Sequence, residues 1–259
     1  MSATFLTLDL GNSRCKLRCW RLPGASGPEL AGADEIASDA GLAQAFEAWL
    51  ARAGEVCGAA LSSVAAPEFE RALAAVLDRR LGTRFRAAPD PGLEIECREP
   101  ERVGRDRLFA ARGARELLGV SCLVLDAGTA LTVDALRVEG DARAVFLGGA
   151  IAPGPALLAR ALSSGTARLP AIEPRPFPRA LGRDTREALE SGVALGFAGA
   201  ARELVQRIGL ECGLESAPLV LSGGARAFLE QPGLFGDRTL HVEPELVHRG
   251  LLAAAGAGG

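Results

Sequence analysis

The chain has 259 residues, of which 48% are hydrophobic and 24% charged, and its net charge is −3. This composition is that of an ordinary globular protein with enough residues for two small domains, and it lacks the basic surface that nucleic-acid binding requires. No segment resembles a signal peptide or reaches the length of a membrane span, so we expect a cytoplasmic protein.

The first predicted element is a strand over residues 3–10, followed by a turn at Gly11–Ser13 and a second strand over 14–22. Thiol and leucine side chains alternate with cationic ones along the second strand, which is the period of two of a half-buried strand. Lys16, the only lysine of the chain, therefore lies on the polar face.

Residues 123–133 repeat the pattern of residues 6–16: an apolar run ends in Asp126, turns at Gly128 and resumes as a strand, as at Asp9 and Gly11. This repetition indicates an internal duplication. A carboxylate beside a glycine turn can hold a phosphate and its metal ion, because glycine lets backbone N–H groups approach the anion. Each copy alone fits an ordinary hairpin turn better, whereas the pair together favours the phosphate site.

The remainder of the first half alternates strands and helices. The predicted segments are a loop at 23–28, a strand at 29–36, a helix at 40–53, a strand at 56–64, a helix from Pro67, a break at Pro89–Gly92 and a helical segment after Pro100. The scattered cysteines have no C-x-x-C spacing, so we expect reduced thiols and no zinc site.

The second half repeats this alternation. It contains predicted strands at 121–126 and 131–138, a long helix from 182 to about 213, a strand at 218–221 and a frayed tail at 253–259. Two successive sets of strands and helices predict an α/β protein with domains at 1–117 and 118–259.

Two features of the second half suggest contacts. Ser222–Ala225 should deliver a glycine pair to the start of another helix, where it either binds a nucleotide or serves only as a strand-to-helix turn. The helix over 186–208 is rich in small residues, which allow a partner to approach closely, and we expect a homodimer.

The chain resembles the type III pantothenate kinases, small members of the actin, hexokinase and Hsp70-like ATPase superfamily. The resemblance spans nearly the whole chain in ordered blocks. These blocks are Asp9-x-Gly11-Asn12-Ser13, Gly104-x-Asp106-Arg107, Asp126-x-Gly128-Thr129-Ala130-x-Thr132-x-Asp134, Gly148-Gly149-x-Ile151-x-Pro153-Gly154, Ser222-Gly223-Gly224 and Glu245-Leu246-Val247-x-x-Gly250-Leu251.

The resemblance implies an α/β fold of two ribonuclease-H-like domains, as in actin-like ATPases, with ATP in the cleft between them. It implies that Thr129 reaches the nucleotide and that Asp126 binds a monovalent cation, potassium or ammonium. It also implies that the first turn holds the phosphates and Mg²⁺ through Asp9, Gly11, Asn12, Ser13 and Lys16.

The substrate side follows from the same resemblance. Residues Gly104, Arg105, Asp106 and Arg107 would contact pantothenate, together with Thr185 near a dimer interface. Asp106 would take the proton of the primary hydroxyl, which agrees with the few groups that phosphoryl transfer needs. Without the resemblance, Asp106 and Arg107 fit a solvated pair at a helix start better.

The sequence departs from the family pattern at three positions. Cys97 stands where a tyrosine is common, Leu108 where a tryptophan often follows Asp-Arg, and Ala225 where an aspartate commonly follows the glycine pair. The first two lie near the expected pantothenate pocket, so they bear on the identity of the acceptor more than on ATP.

Three functions are therefore possible for this sequence. The first is an ATP-dependent pantothenate kinase, which catalyses the first step toward coenzyme A. The second is a nucleotide-binding regulatory protein without turnover, and the third is a related kinase with another small acceptor. The chain has no G-x-x-x-x-G-K-[ST] motif, so P-loop chemistry has no support.

Overall fold

The computed structural model describes residues 4–22, 27–140 and 143–256. In chain order its strands and helices are β1 (Thr4–Leu10), β2 (Arg14–Arg21), β3 (Glu29–Ala37), α1 (Leu42–Leu50), β4 (Val56–Ser63), α2 (Pro67–Leu81), β5 (Phe85–Ala87), β6 (Glu94–Ile95), α3 (Arg105–Leu118), β7 (Cys122–Ala127), β8 (Ala130–Glu139), β9 (Arg143–Pro153), α4 (Pro155–Gly165), α5 (Thr185–Cys212), β10 (Leu219–Ser222), β11 (Leu240–Val242) and α6 (Leu246–Ala254).

These elements form two units. The first contains the described residues of 1–94, 98–118 and 246–259, and the second contains 95–97 and the described residues of 119–245. The units thus separate one residue beyond the domain limit expected at 117. Helix α6, which lies inside the expected second domain of 118–259, belongs to the first unit.

The sheet of the first unit has the strand order β3-β2-β1-β4-β5. β1, β2 and β3 form an antiparallel meander, whereas β4 and β5 run parallel to β1. One face of β1 presents Leu6, Leu8 and Leu10 to a core that α1 and α2 complete. Each fully buried leucine of this kind contributes about 1.5–3 kcal/mol.

The other face of this sheet is covered by α3 and α6. The two helices cross at glycines: a Cβ on Gly113 would collide with the backbone of Leu246, and a Cβ on Gly250 with the backbone of Phe109. Glycine is required at both positions because the main chains themselves are in contact there.

The sheet of the second unit has the order β11-β10-β7-β8-β9-β6. β7, β8 and β9 again form an antiparallel meander, and β10 and β11 again run parallel to the first strand. Leu123 and Leu125 of β7 pack against α5, with Phe197 and Ala201 among the helical partners. The strand plan of the first unit is therefore repeated.

Helix α5 has well-defined ends. The Asp184 carboxylate accepts a hydrogen bond from the Glu187 N–H at 2.9 Å, and Gly213 ends the helix at φ +67°. An acceptor before the first turn and a left-handed glycine after the last are usual helix boundaries. Within the described residues, none of the helices combines the length and apolar composition needed to cross a membrane.

Several expectations need correction. The expected helix after Ser222–Ala225 is only a 3-10 turn at Arg226–Phe228, and α4 was not predicted. Residues 253 and 254, expected in a frayed tail, belong to α6, whereas 257–259 lie outside the described residues. Of the expected loop at 23–28, residues 23–26 also lie outside them.

Candidate active-site residues of the two units

Asp9 is the penultimate residue of β1 and is largely buried, with 12% of its side chain exposed. Lys16 stands directly opposite on β2, and its Nζ lies 4.0 Å from Oδ2 of Asp9. The lysine is therefore on the polar face of the hairpin, beside the carboxylate.

The Cys15 thiol lies on the opposite, core side of this hairpin. Its pKa is raised by burial and, to a smaller extent, by the charge of Asp9, so this thiol stays protonated.

The turn after Asp9 is fixed at both ends. The Gly11 N–H donates to the Arg14 carbonyl at 3.0 Å, and the Ser13 carbonyl accepts from the Ser38 N–H at 3.0 Å. The Gly11 N–H is thus used by the hairpin itself. Asn12 and Ser13 are exposed between these anchors, so a phosphate at this turn would meet their amide and hydroxyl groups.

Ser62 is a candidate that the sequence reasoning missed. It is the register partner of Asp9 on the parallel strand β4 and is fully buried. Its hydroxyl has no hydrogen-bond partner among the described residues. Buried polar groups are nearly always paired, so an unpaired hydroxyl beside a carboxylate suits an anion or a hydrated metal ion. A serine at a strand end is the only sequence signal for it.

Asp106 lies in the first turn of α3 and is half-buried. Its Oδ1 accepts a hydrogen bond from the Arg107 N–H at 2.8 Å. A Cβ on Gly104 would lie 2.6 Å from that same oxygen, so the carboxylate folds back over the glycine. This position requires glycine because any side chain would displace the carboxylate.

The neighbouring arginine of this motif is turned away from the carboxylate toward a loop. Arg105 donates from one guanidinium nitrogen to the Pro89 carbonyl at 2.6 Å. Leu108, at the position of the family's frequent tryptophan, is buried in the first unit with 4% exposure. Its side chain therefore packs in the interior of this unit.

Asp126 is the penultimate residue of β7 in the second unit, opposite Thr132 on β8 and beside Ser222 on β10. The following turn resembles the first one, because the Gly128 N–H donates to the Ala130 carbonyl at 2.8 Å. Thr129, at the tip of this turn, is exposed. Its carbonyl accepts from the Gly154 N–H at 2.9 Å.

The ordered glycine motifs of the second half meet at this turn. A Cβ on Gly154 would lie 2.6 Å from the Thr129 carbonyl oxygen. Gly223 has φ +92°, and a Cβ there would collide with the Asp126 carboxylate and the Ala127 backbone. The Ala225 N–H donates to the Ala127 carbonyl at 2.7 Å. The three motifs thus build one crowded surface around Asp126.

The two remaining candidates also lie in the second unit. Thr185 is exposed at the first position of α5, directly after the capping residue Asp184. Cys97 lies against the main chain of Gly148, where its Sγ would be 3.5 Å from an added Cβ.

No cluster of three or more metal-binding side chains occurs in the part of the chain that the structure describes. A single carboxylate is still enough for magnesium, which is usually bound through one or two carboxylates together with waters and substrate phosphates. Asp9, with the unpaired Ser62 hydroxyl beside it, provides such a position in the first unit.

A family model for type III pantothenate kinase matches residues 5–207 of the chain. A type III pantothenate kinase of Chromobacterium violaceum is 36% identical over 252 residues, which cover 96% of this chain and 98% of that protein. The match to the type III pantothenate kinase of Akkermansia muciniphila is 38% identical and covers 64% of this chain and 65% of that protein.

Solved structures agree at the level of the fold. A protein of Campylobacter jejuni described as a Baf family transcriptional activator aligns with a TM-score of 0.60 at 19% identity, covering 96% of each chain. A Listeria monocytogenes protein described as an N-acetylmannosamine kinase aligns with a TM-score of 0.52 at 16% identity, covering 98% of each chain. The two-unit α/β fold expected from the resemblance is thereby confirmed.

Proposed function

The chain belongs to the type III pantothenate kinase family, and from this premise we propose that it phosphorylates pantothenate with ATP, giving 4′-phosphopantothenate. This reaction is the first step of coenzyme A biosynthesis, which suits a cytoplasmic enzyme. The observation that carries the proposal is the Asp106 carboxylate, which the Arg107 N–H holds over Gly104 at the start of α3.

Asp106 acts as the base in this proposal. Its Oδ1 is occupied by the Arg107 N–H, so Oδ2 takes the proton from the primary hydroxyl of pantothenate. The hydroxyl oxygen then bonds to the γ-phosphorus while the bond between that phosphorus and the bridging oxygen breaks, leaving ADP. Base catalysis of this kind contributes about 10²–10⁴-fold to a rate.

The first turn is proposed to bind the phosphates of ATP. Asp9 would hold Mg²⁺, which neutralises phosphate charge when bound, and the side chains of Asn12 and Ser13 would donate to phosphate oxygens. The Lys16 ammonium, 4.0 Å from the Asp9 carboxylate, adds a positive charge on the same face. Gly11 contributes to the hairpin through its N–H, which donates to the Arg14 carbonyl.

The remaining assignments are part of the same proposal. Thr129 would contact the nucleotide, and Asp126 would bind potassium or ammonium. Gly104, Arg107 and Thr185 would contact pantothenate. The exposed position of Thr129 and the main-chain crowding around Asp126 support these roles.

A homodimer is proposed from the surface of α5. Leu195 is 40% exposed, and a Cβ on Gly192, Gly196 or Gly199 would meet nothing within 4 Å, so a second chain can approach this helix closely. Sedimentation at micromolar concentration should give the mass of two chains. A monomer under those conditions would remove this part of the proposal.

The assay measures ADP release from Mg-ATP with and without pantothenate, in potassium and in sodium buffer. We expect turnover that requires pantothenate and is faster in potassium. Asp106→Asn should lower kcat at least about a hundredfold, because an amide cannot take the proton. Asp39→Asn is the matched control, since Asp39 is exposed and its carboxylate accepts the Gly41 N–H.

Two results would contradict the proposal. ADP release that is equal without pantothenate would be ATP hydrolysis by water and would contradict pantothenate as the acceptor. ATP binding without turnover would favour a regulatory protein. An Asp106→Asn variant with full activity would leave the kinase in place and remove Asp106 as its base.

A further inference from the structure

Three arginines on one face of α3 bind the loop of residues 88–92. Arg105, Arg112 and Arg115 follow one another at helical spacing. Their guanidinium groups donate to three carbonyl oxygens of the loop, those of Pro89 at 2.6 Å, Pro91 at 2.9 Å and Gly92 at 3.3 Å. The helix therefore provides donors for much of the loop backbone.

The loop depends on these outside donors. Pro89 and Pro91 have no N–H, and Ala88 at φ +46° and Gly92 at φ +65° adopt left-handed conformations. Backbone carbonyls in such a segment need partners from elsewhere. The Ala88 N–H donates to the Leu61 carbonyl at 2.8 Å, which ties the start of the loop to β4.

Arg105 differs from the other two arginines in its place on the helix. It is the first residue of α3 and directly precedes Asp106. Its guanidinium also lies over the ring of the fully buried Phe109, with the central carbon 5.3 Å from the ring centroid. A cation held over an aromatic face and hydrogen-bonded to a carbonyl has little freedom.

We propose that Arg105 is a positioning residue that sets the location of Asp106 through the loop, and that it does not bind pantothenate itself. This inference rests on the proposed function for its effect on catalysis. It assigns Arg105 a role different from the substrate contact that its place in the Gly104–Arg107 motif suggested.

The positioning extends to the first turn. β1, β4 and β5 are parallel, so their carboxyl ends lie at the same edge of the sheet. At that edge the Val64 N–H donates to the Leu10 carbonyl at 3.0 Å, next to Asp9. A continuous chain of bonds thus leads from the end of β1 through β4 and the loop to Arg105. Arg105 fixes the base relative to the end of β1, next to Asp9.

One donor of Arg105 is not used by the loop. Its Nε is buried and has no hydrogen-bond partner among the described residues. A direct contact with pantothenate through this nitrogen is the competing role, and the two roles predict different kinetics.

The test compares Arg105→Gln with Arg112→Gln. Arg112 also donates to the loop, but it lies two helical turns after Arg105 and so farther from Asp106 along α3. A misplaced base lowers kcat and leaves ground-state binding intact. We expect Arg105→Gln to lower kcat about tenfold with the pantothenate KM within about twofold of the native value, and Arg112→Gln to change neither constant.

Kinetics alone can overturn the proposal. A KM for pantothenate that rises about tenfold at unchanged kcat would assign Arg105 to substrate binding. Unchanged kinetics in Arg105→Gln would exclude both roles. If Arg105→Gln does not fold, Arg105→Lys keeps the charge over Phe109 and one donor, and it should lower kcat about threefold, with the same criteria for KM.

A second measurement does not depend on activity. The N–H groups of Arg107 and Leu108 donate to the Gly104 carbonyl at 3.1 and 3.3 Å and close the first turn of α3. Their hydrogen exchange should accelerate about tenfold in Arg105→Gln and remain unchanged in Arg112→Gln. Unchanged exchange in Arg105→Gln overturns the positioning role. If the native protein lacks pantothenate-dependent turnover, the proposed function fails while this exchange still tests Arg105.

Discussion

The two units share a strand plan, yet the surfaces at their aspartates differ. In each unit an antiparallel hairpin begins with a strand whose penultimate residue is aspartate, and a parallel strand places a serine in register with it: Ser62 beside Asp9 and Ser222 beside Asp126. The duplication inferred from the sequence therefore extends to the parallel strand beside the hairpin, which is β4 in the first unit and β10 in the second.

The difference lies in charge and main-chain crowding. Opposite Asp9 stands Lys16, and the neighbouring Ser62 hydroxyl has no partner among the described residues. Opposite Asp126 stands Thr132, and the Gly223 main chain packs directly against the carboxylate. The same strand order therefore carries two different turns. The turn after Asp9 is charged and lies beside a hydroxyl without a partner among the described residues, whereas the turn after Asp126 is enclosed by backbone.

The strongest test of this difference is a pair of glycine substitutions. Gly223→Ala should lower the free energy of unfolding by about 3 kcal/mol, because the left-handed φ and the collision with Asp126 both oppose a Cβ. Gly11→Ala should cost less than about 1 kcal/mol, since its Cβ would lie 3.2 Å from the Arg14 carbonyl oxygen at an ordinary φ.

Unfolding in urea, followed by two spectroscopic signals, distinguishes a loss of stability in the first unit from one in the second. Both tryptophans, Trp20 and Trp49, lie in the first unit, so fluorescence follows that unit and circular dichroism follows the whole chain. Gly224→Ala is the control, because a Cβ there meets nothing within 4 Å. Equal losses in Gly11→Ala and Gly223→Ala would contradict the contrast between an open and a crowded turn.

The second prediction concerns a buried polar group beneath the first hairpin. Thr7 Oγ accepts a hydrogen bond from Trp20 Nε1 at 2.7 Å and lies 3.0 Å from Nδ1 of His248. The corresponding residue of the second hairpin is Val124, which is apolar. Burial, and then the charges of Arg18 and Lys16, hold the pKa of His248 well below its ordinary value.

The folded state therefore keeps His248 neutral while the unfolded chain binds a proton below about pH 6.5. The stability of the first unit should fall as pH drops from there, with up to about 1.4 kcal/mol per pH unit due to this histidine. His248→Gln should remove that part of the slope, measured by tryptophan fluorescence in urea. His241→Gln is the control, and an unchanged slope in His248→Gln would refute the assignment.

The smallest predicted effect compares the two serines. Ser62→Ala removes a buried hydroxyl without a partner, so it should raise the unfolding free energy by about 1 kcal/mol while weakening Mg-ATP binding. Ser222 Oγ lies 3.5 Å from the Pro244 carbonyl oxygen, and Ser222→Ala should change stability little. Calorimetric titration with Mg-ATP measures the binding. A Ser62→Ala variant that is less stable than the native protein would contradict the assignment of Ser62 as a hydroxyl without a hydrogen-bond partner.

The hairpins and α5 could be predicted because local patterns define them. Alternating side chains identify β2, and Asp184 and Gly213 bound α5. Helix α4 was not predicted, although Pro155 stands at its first position, which is a common place for proline in a helix.

Other features depend on contacts between distant residues. The main chain after β10 turns at Gly223 onto Ala127, and only a 3-10 turn follows directly, although a glycine pair after a strand favours an α-helix. A single serine has no periodic signal, so Ser62 emerged only from its register with Asp9. Likewise, Gly104–Arg107 identified Asp106, whereas the bond from Arg105 to Pro89 required the folded loop.

Helix α6 also affects the order in which the chain can fold during synthesis. Residues 119–245 leave the ribosome after α3 and before α6, yet α6 covers the sheet face that β1 and β4 help to form. The first unit therefore waits, with that face incompletely covered, until the second has been made. Domains usually fold in the order of their synthesis, but here the unit begun first is the one completed last.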